Sequence, residues 1–283
     1  MWRMGPHVLR CGARTHVMGI INVTRDSFSD GGRFFDPEVA VGAGIEMAVN
    51  GAAILDVGGE STRPGSDAVP LEEELGRVIP VIQRLAAEVD IPISVDTRRA
   101  GVAKAAVEVG ACIVNDVTAG SDPSMFEAVK EGGAGVVLMH MRGNPRTMQQ
   151  LTDYGDVVAE VKAYLAERVE AAGEAGIGWE RLAIDPGLGF AKTEVQSYTL
   201  MRDIAAFGEL GRPVVVGPSR KSFIGKVLGT EVDQRMEGTA GAVAWTAGHG
   251  AHVVRVHDVR EMARVVQVVD AIRRGAEPLT LER

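Results

Sequence analysis

Residues 54–65 read ILDVGGESTRPG. The stretch begins as an apolar run, takes up a carboxylate at Asp56, and breaks at Gly58 and Gly59 into a polar segment that ends in Arg63, Pro64 and Gly65. A strand of a parallel sheet, covered on both faces, reads as an apolar run. One that ends in a carboxylate, paired glycines and hydroxyls has left the core for a surface where chemistry is possible. Whether the chain repeats this unit decides the fold.

It does. Apolar runs occupy residues 16–23, 52–58, 91–95, 112–117, 135–141, 181–184, 213–216 and 251–256. Between and after them lie stretches with apolar residues at helical spacing, over 37–50, 71–89, 100–109, 124–131, 156–175, 194–207 and 234–248, and a last one running to about Arg273. Eight strand-then-helix units in about 260 residues predict an α/β fold of the (β/α)8 TIM-barrel type. A doubly wound sheet would place GxGxxG after the first strand, and the motif is absent there. With no Pro/Ser-rich linker or composition break, residues 1–283 read as a single domain with a short N-terminal extension over 1–15. In a barrel the loops after the strands form one face, which carries the site.

The totals narrow the partners. At 46% hydrophobic and 24% charged residues the chain has ordinary globular usage, and its 35 glycines suit many tight strand–helix turns. A net charge of −8 argues against a nucleic-acid or anionic-membrane partner, while leaving room for a local Arg/Lys cluster that holds a phosphorylated small molecule. Cys11 and Cys112 stand far apart with no CxxC, which excludes a disulfide scaffold or a Cys-rich zinc site and fits a reducing, cytoplasmic setting. The N-terminus lacks the apolar core of a signal peptide, and no run approaches the ~20 apolar residues of a membrane span.

What closes each apolar run points to the ligand. In strand order the closing residues are Asn22; Asp56; Asp96; Asn115 and Asp116; His140; Asp185; Ser219, Arg220 and Lys221; and Arg255 and His257. Any one Asp after a strand is more often the N-cap of the next helix. Eight such positions on one face are another matter, because buried polar groups cost free energy unless paired, and a shared ligand would pair them. Asp56, Asp96, Asn115 and Asp185 offer acceptors and an amide to a flat, nitrogen-rich heterocycle. Arg255 and His257 alternate with Val254 and Val256, so they share a face of their strand and read as a cation pair awaiting an anion. GPSRKSFIG, residues 217–225, reads as a phosphate-binding turn or as an ordinary charged helix start. Residues 22–32 form a polar loop with one aromatic, Phe28, suited to closing over a ligand. His140 divides between core and site, and Met139 reads as pocket wall. The other histidines show no metal-binding spacing.

These motifs together resemble dihydropteroate synthase: NVTRDSFSDGG from Asn22, DVGGESTRPG from Asp56, SVDT from Ser94, Asn115-Asp116, DPGLGFAKT from Asp185, SRKSFIG from Ser219 and RVHD from Arg255. The resemblance runs in order over residues 17–258. It implies an enzyme that joins 4-aminobenzoate to 7,8-dihydropterin-6-ylmethyl diphosphate and releases diphosphate, with Mg2+ as cofactor. By position it places Asp96, Asn115, Asp185, Lys221 and Arg255 on the pterin. Asn22, Thr62, Arg63, Arg255 and His257 fall on the diphosphate, Asn22 also on the metal. Thr62, Pro64, Phe190, Lys221 and Ser222 fall on 4-aminobenzoate, and Asp30 faces the pterin cation. Asp30, Arg63, Lys221, Arg255 and His257 are the expected catalytic group. The resemblance further implies a homodimer and, because DPGLGFAKT carries no insertion beside Phe190, sensitivity to sulfonamides. Residues 61–65 are expected to act as a moving lid opposite residues 22–32. Arg25 stands where the family usually has proline, and Pro218 before SRK is a second departure. A pterin-binding methyltransferase working with a corrinoid protein, and a catalytically silent pterin-binding paralogue, are the alternatives. The first has no evident need for the anion-holding Arg63, Arg255 and His257.

Overall fold

The computed structural model describes residues 1–24 and 37–275. Eight parallel strands form one sheet: β3 (His16–Asn22), β4 (Ile54–Gly58), β5 (Ile93–Asp96), β6 (Ile113–Asp116), β7 (Gly135–Met139), β8 (Leu182–Asp185), β9 (Val215–Val216) and β10 (Val253–Val256). Their order is β8-β7-β6-β5-β4-β3-β10-β9, and a parallel bridge between Ile184 and Val214 joins the two ends into a barrel. A (β/α)8 barrel is therefore what the chain folds into. The short β9 is the weak point of the closure.

Around it lie α1 (Pro37–Val49), α2 (Leu71–Glu88), α3 (Ala100–Glu108), α4 (Met125–Glu131), α5 (Val157–Glu174), α6 (Glu194–Arg202), α7 (Ser222–Leu228), α8 (Met236–Gly248) and α9 (Val259–Arg274). Their starts follow local chemistry. Asp156 accepts from the Val158 and Ala159 amides at the start of α5, and Thr193 and Gln196 form a reciprocal capping box on α6. Two stretches differ from expectation. The helix expected over 194–207 stops at Arg202 and continues as a 3-10 segment, Ile204–Leu210. Residues 222–228, within and just after the segment read as a phosphate-binding turn or a charged helix start, form the separate helix α7, which Gly229 ends at a φ of 66°.

The barrel interior is layered by the period-2 alternation of strand side chains. At the N-terminal end Met18, Ile54, Ile113, Val137, Ala183, Val215 and Val253 pack into one apolar cluster with Trp2 and Met4. Those last two belong to a hairpin of β1 (Trp2–Met4) and β2 (His7–Leu9), so the first residues plug the barrel floor. Trp2 is fully buried and its indole Nε1 donates to the Arg181 carbonyl at 3.1 Å. One pleat further along five of these strands stand Asp56, Asn115, Met139, Asp185 and Arg255. Apolar filling thus ends abruptly, and polar groups begin where the barrel opens.

Candidate active site at the C-terminal mouth of the barrel

Arg255 is the hub of the mouth. Its Nε donates to Asp56 Oδ2 at 2.6 Å and its Nη2 to Asp96 Oδ2 at 2.6 Å, while Asn115 Nδ2 donates to the same Asp56 oxygen at 3.2 Å. Asp56 is fully buried, Asp96 is 8% exposed, and Asn115 and Asp185 are 5% exposed. Burial pushes Asp96 up to about 7, with Arg255 opposing and the Asp56 carboxylate adding, since two buried carboxylates share one guanidinium. Burial likewise raises Asp185 to about 6, against the Gly187 amide that donates to its Oδ1 at 2.7 Å. Burial pulls Arg255 down, but Asp56 and Asp96 outweigh it and the guanidinium stays charged. Asp56 Oδ1, Asp96 Oδ1 and Ser94 Oγ are buried without a hydrogen-bond partner among the described residues. Buried acceptors left open inside a polar mouth mark where a donor-rich ligand belongs.

On one side of this hub lies a second group. The Ser219 hydroxyl accepts from the His257 backbone N–H at 3.2 Å and sits 2.9 Å from His257 Nδ1, while Nε2 faces the Asn22 amide nitrogen at 3.4 Å. The Asn22 amide nitrogen can only donate, so Nε2 accepts from it and the ring proton sits on Nδ1, donating to the Ser219 hydroxyl oxygen. Burial, with Arg255 and Arg220 adding, pushes His257 down to about 3. The expected cation pair is therefore one cation, Arg255, and one neutral imidazole. Valine neighbours signalled the burial correctly, and burial itself removes the imidazolium charge.

On the other side Lys221 Nζ lies 4.1 Å from the Phe190 ring centroid, a cation over an aromatic face. Burial, with Arg255 adding and Asp185 and Asp96 opposing, pulls Lys221 down to about 8. Phe190 belongs to an apolar patch with Val117, Met139, Met141, Met148 and Ala191. A flat, partly apolar, anionic molecule would find both an aromatic wall and a cation there.

The pterin binding enzyme family model matches residues 18–257. The chain is 46% identical over 273 residues to the dihydropteroate synthase of Synechocystis sp., covering 96% of this chain and 94% of that protein. Among solved structures, Xanthomonas albilineans dihydropteroate synthase with 4-aminobenzoic acid superposes with a TM-score of 0.87 at 48% identity, over 92% of this chain and 93% of that one. Yersinia pestis dihydropteroate synthase with a sulfonamide drug does so with a TM-score of 0.91 at 38% identity, over 96% and 98%. The chain belongs to the dihydropteroate synthase family. It is accordingly a transferase of folate synthesis.

Placed on this family's barrel, most of the expected site residues converge. Asp96, Asn115, Asp185 and Arg255 lie at the mouth, Lys221 and Phe190 face each other, and Asn22 and His257 are neighbours. Thr62 is half-buried, whereas Arg63, Pro64 and Ser222 are exposed. The arm over residues 61–65 is held at both ends: Arg98 Nη2 donates to Glu60 Oε1 at 2.9 Å, and the Gly65 amide donates to the Pro145 carbonyl at 2.9 Å. Arg25, Phe28 and Asp30 lie outside the described residues.

Three strand-end residues leave the ring. Asp116 turns its carboxylate to the Thr118 and Gly120 amides at 2.8 and 2.6 Å, so it is a turn acceptor rather than a member of the ring. Arg220 pairs with Asp258. His140 is buried against the Tyr164 ring of α5, at 4.8 Å between centroids, which settles it as packing on the helix side. Two contributors were missed: Ser219 as the partner of His257, and Lys192, which stands in the DPGLGFAKT motif but was given no role of its own.

Proposed function

We propose that this chain condenses 7,8-dihydropterin-6-ylmethyl diphosphate with 4-aminobenzoate to give 7,8-dihydropteroate and diphosphate. The observation that carries this reading is the set of unpartnered buried acceptors beside Arg255 at the barrel mouth, next to the Lys221–Phe190 pair. Ring N–H and amino groups of the pterin would meet Asp96, Asp185 and Asn115, with Arg255 against the ring face. Nη1 of Arg255, His257, Asn22, Thr62 and Arg63 would receive the diphosphate. The 4-aminobenzoate would lie between Phe190, Thr62 and Pro64, its carboxylate towards Lys221 and Ser222.

The chemistry suits a dissociative substitution. Diphosphate leaves a methylene on an electron-rich ring, and the aniline nitrogen traps the resulting cation. Donors aimed at the departing oxygens lower that barrier, and the guanidinium groups of Arg63 and Arg255 are the charged ones among them. Water must be kept from the cation, and residues 61–65 together with Asp30 in the first loop are proposed to cover it. Mg2+ fits this arrangement as a metal held chiefly by substrate: Asn22 turns its amide nitrogen towards His257, which leaves its oxygen for a ligand, and such ions keep phosphate and water ligands. Among the described residues no cluster of three His, Cys, Asp or Glu side chains competes for it. When bound, Mg2+ would neutralise charge on the leaving diphosphate. Growth of a strain lacking its own dihydropteroate synthase, restored by this chain on medium without folate products, supports the reading; failure despite folded expression contradicts it.

Two finer readings follow. Sulfonamides should compete with 4-aminobenzoate, as the uninserted Phe190 strap and the drug-bound Y. pestis relative suggest. Inhibition constants far above the Michaelis constant of 4-aminobenzoate would refute this. The chain should also form a homodimer. An apolar groove of about 380 Å³ is lined by Tyr198, Met201, Val227, Leu228 and Trp245 across α6, α7 and α8. Val227 is 69% exposed and Trp245 46%, and a contiguous apolar patch is the mark of an interaction surface. Light scattering should give twice the mass of one chain; one chain mass at micromolar concentration overturns the dimer. No described helix is long and apolar enough to cross a membrane, consistent with the proposed cytoplasmic setting.

A further inference from the structure

Lys192 ends in a closed chamber. The residue is 3% exposed, and its Nζ lies 2.8 Å from the Phe190 carbonyl, 2.9 Å from His140 Nδ1 and 3.4 Å from the His140 carbonyl. All three partners thus come from two places: the end of β7 and the strap that carries Phe190. Ordering a lysine side chain costs rotamer entropy before desolvation is counted, and these bonds offset that penalty. The strap itself is conformationally demanding. Ala191 has a φ of 52°, in the left-handed region that L residues seldom occupy. Gly187 has a φ of 69°, and a Cβ there would stand 2.1 Å from the His140 carbonyl oxygen. The strap is therefore pressed against the very residue to which Lys192 ties it.

We infer that Lys192 is a positioning residue for the aminobenzoate pocket: by tying the Phe190 carbonyl to His140, it holds the aromatic ring beneath Lys221. The inference rests on the assignment of Phe190 and Lys221 to 4-aminobenzoate. His140, anchored by its place at the end of β7 and by the Tyr164 ring, provides the fixed end. Phe190 is the end that is held: its own amide donates to the Gly187 carbonyl at 3.1 Å, and its carbonyl accepts from Lys192. Lys192 does not touch substrate and changes no bond. Burial pulls Lys192 well below the usual lysine range, with Asp185 opposing; Lys192→Met removes its hydrogen bonds to Phe190 and His140.

Steady-state kinetics on Lys192→Met, with Phe190→Ala beside it, tests the assignment. The expected result for Lys192→Met is a Michaelis constant for 4-aminobenzoate raised about tenfold. That for pterin diphosphate should stay within about twofold, with inhibition by sulfonamides weakening in parallel. Lys192→Gln, which keeps a shorter amide donor, should recover most of the loss and covers the case in which the Met variant does not fold. Should Phe190→Ala raise the aminobenzoate constant while folded Lys192→Met or Lys192→Gln leaves it unchanged, the positioning role is wrong and the pocket assignment survives. Equal rises in both Michaelis constants would mean that Lys192 is only packing. No effect of Phe190→Ala would overturn the pocket and the positioning role together.

Discussion

Arg255→Ala is expected to lower kcat/KM for pterin diphosphate by about 10³-fold, the largest loss of any single substitution at the mouth. Two independent costs add. Truncating one partner of a buried ion pair costs about 3–5 kcal/mol, because the remaining charge is left unpaired in low dielectric; here Asp56 and Asp96 both lose their guanidinium. Asp96, already near 7, would then retain its proton and offer the pterin an O–H where an acceptor is needed. The diphosphate loses a donor as well. Arg255→Lys should recover only part of the activity, since one ammonium lacks the fork that spans two carboxylates from Nε and Nη2. Direct binding of a pterin analogue by calorimetry, run with urea unfolding, separates lost affinity from lost stability. A loss in kcat/KM of less than about tenfold would show that Arg255 is not the hub.

Lys221→Met should reduce kcat/KM for 4-aminobenzoate by about 100-fold, as a charged hydrogen bond contributes about 1.5–3 kcal/mol. Its signature lies in the pH dependence. Lys221 is pulled down to about 8 by burial and Arg255, so it is a cation below that pH and an amine above it. The parent enzyme should therefore lose affinity for the 4-aminobenzoate carboxylate as pH rises through about 8. Lys221→Met, which has no charge to lose, should show a high Michaelis constant that is flat over the same range. A parent profile flat through that region, or a variant that keeps the parent's slope, would remove Lys221 from the pocket.

The barrel was readable because parallel strands buried on both faces leave runs such as residues 135–141, and because each run ends where the interior turns polar. What escaped was of two kinds. Short elements carry too few residues for a period: the three-residue strands Trp2–Met4 and His7–Leu9 looked like an extension although Trp2 and Met4 fill the barrel floor. The seven residues of α7 were legible only as one of two readings of residues 217–225, a charged helix start beside a phosphate-binding turn. The second kind is direction. Asp56 and Asp116 both close strands, yet one points to the mouth and the other to its own turn, a difference set by strand parity that the runs did not fix. Burial also reverses expectations about charge. His257 and Lys192 look cationic in sequence, but their surroundings drive both towards neutrality.

That reversal sharpens the picture of residues 54–65. Asp56 serves as the fixed anchor of Arg255 rather than as a free acceptor alone, and the arm beyond Glu60 reaches across to Pro145. The anchor is rigid core; the arm is where Arg63 and Thr62 meet the diphosphate in the proposed reaction.

The most direct test of the account is product formation by the purified chain given 7,8-dihydropterin-6-ylmethyl diphosphate, 4-aminobenzoate and Mg2+. The account predicts dihydropteroate and diphosphate released in equal amounts, with activity lost on chelation and restored by Mg2+. Folded protein that binds the pterin but yields neither product would contradict it and make the chain a silent pterin-binding barrel.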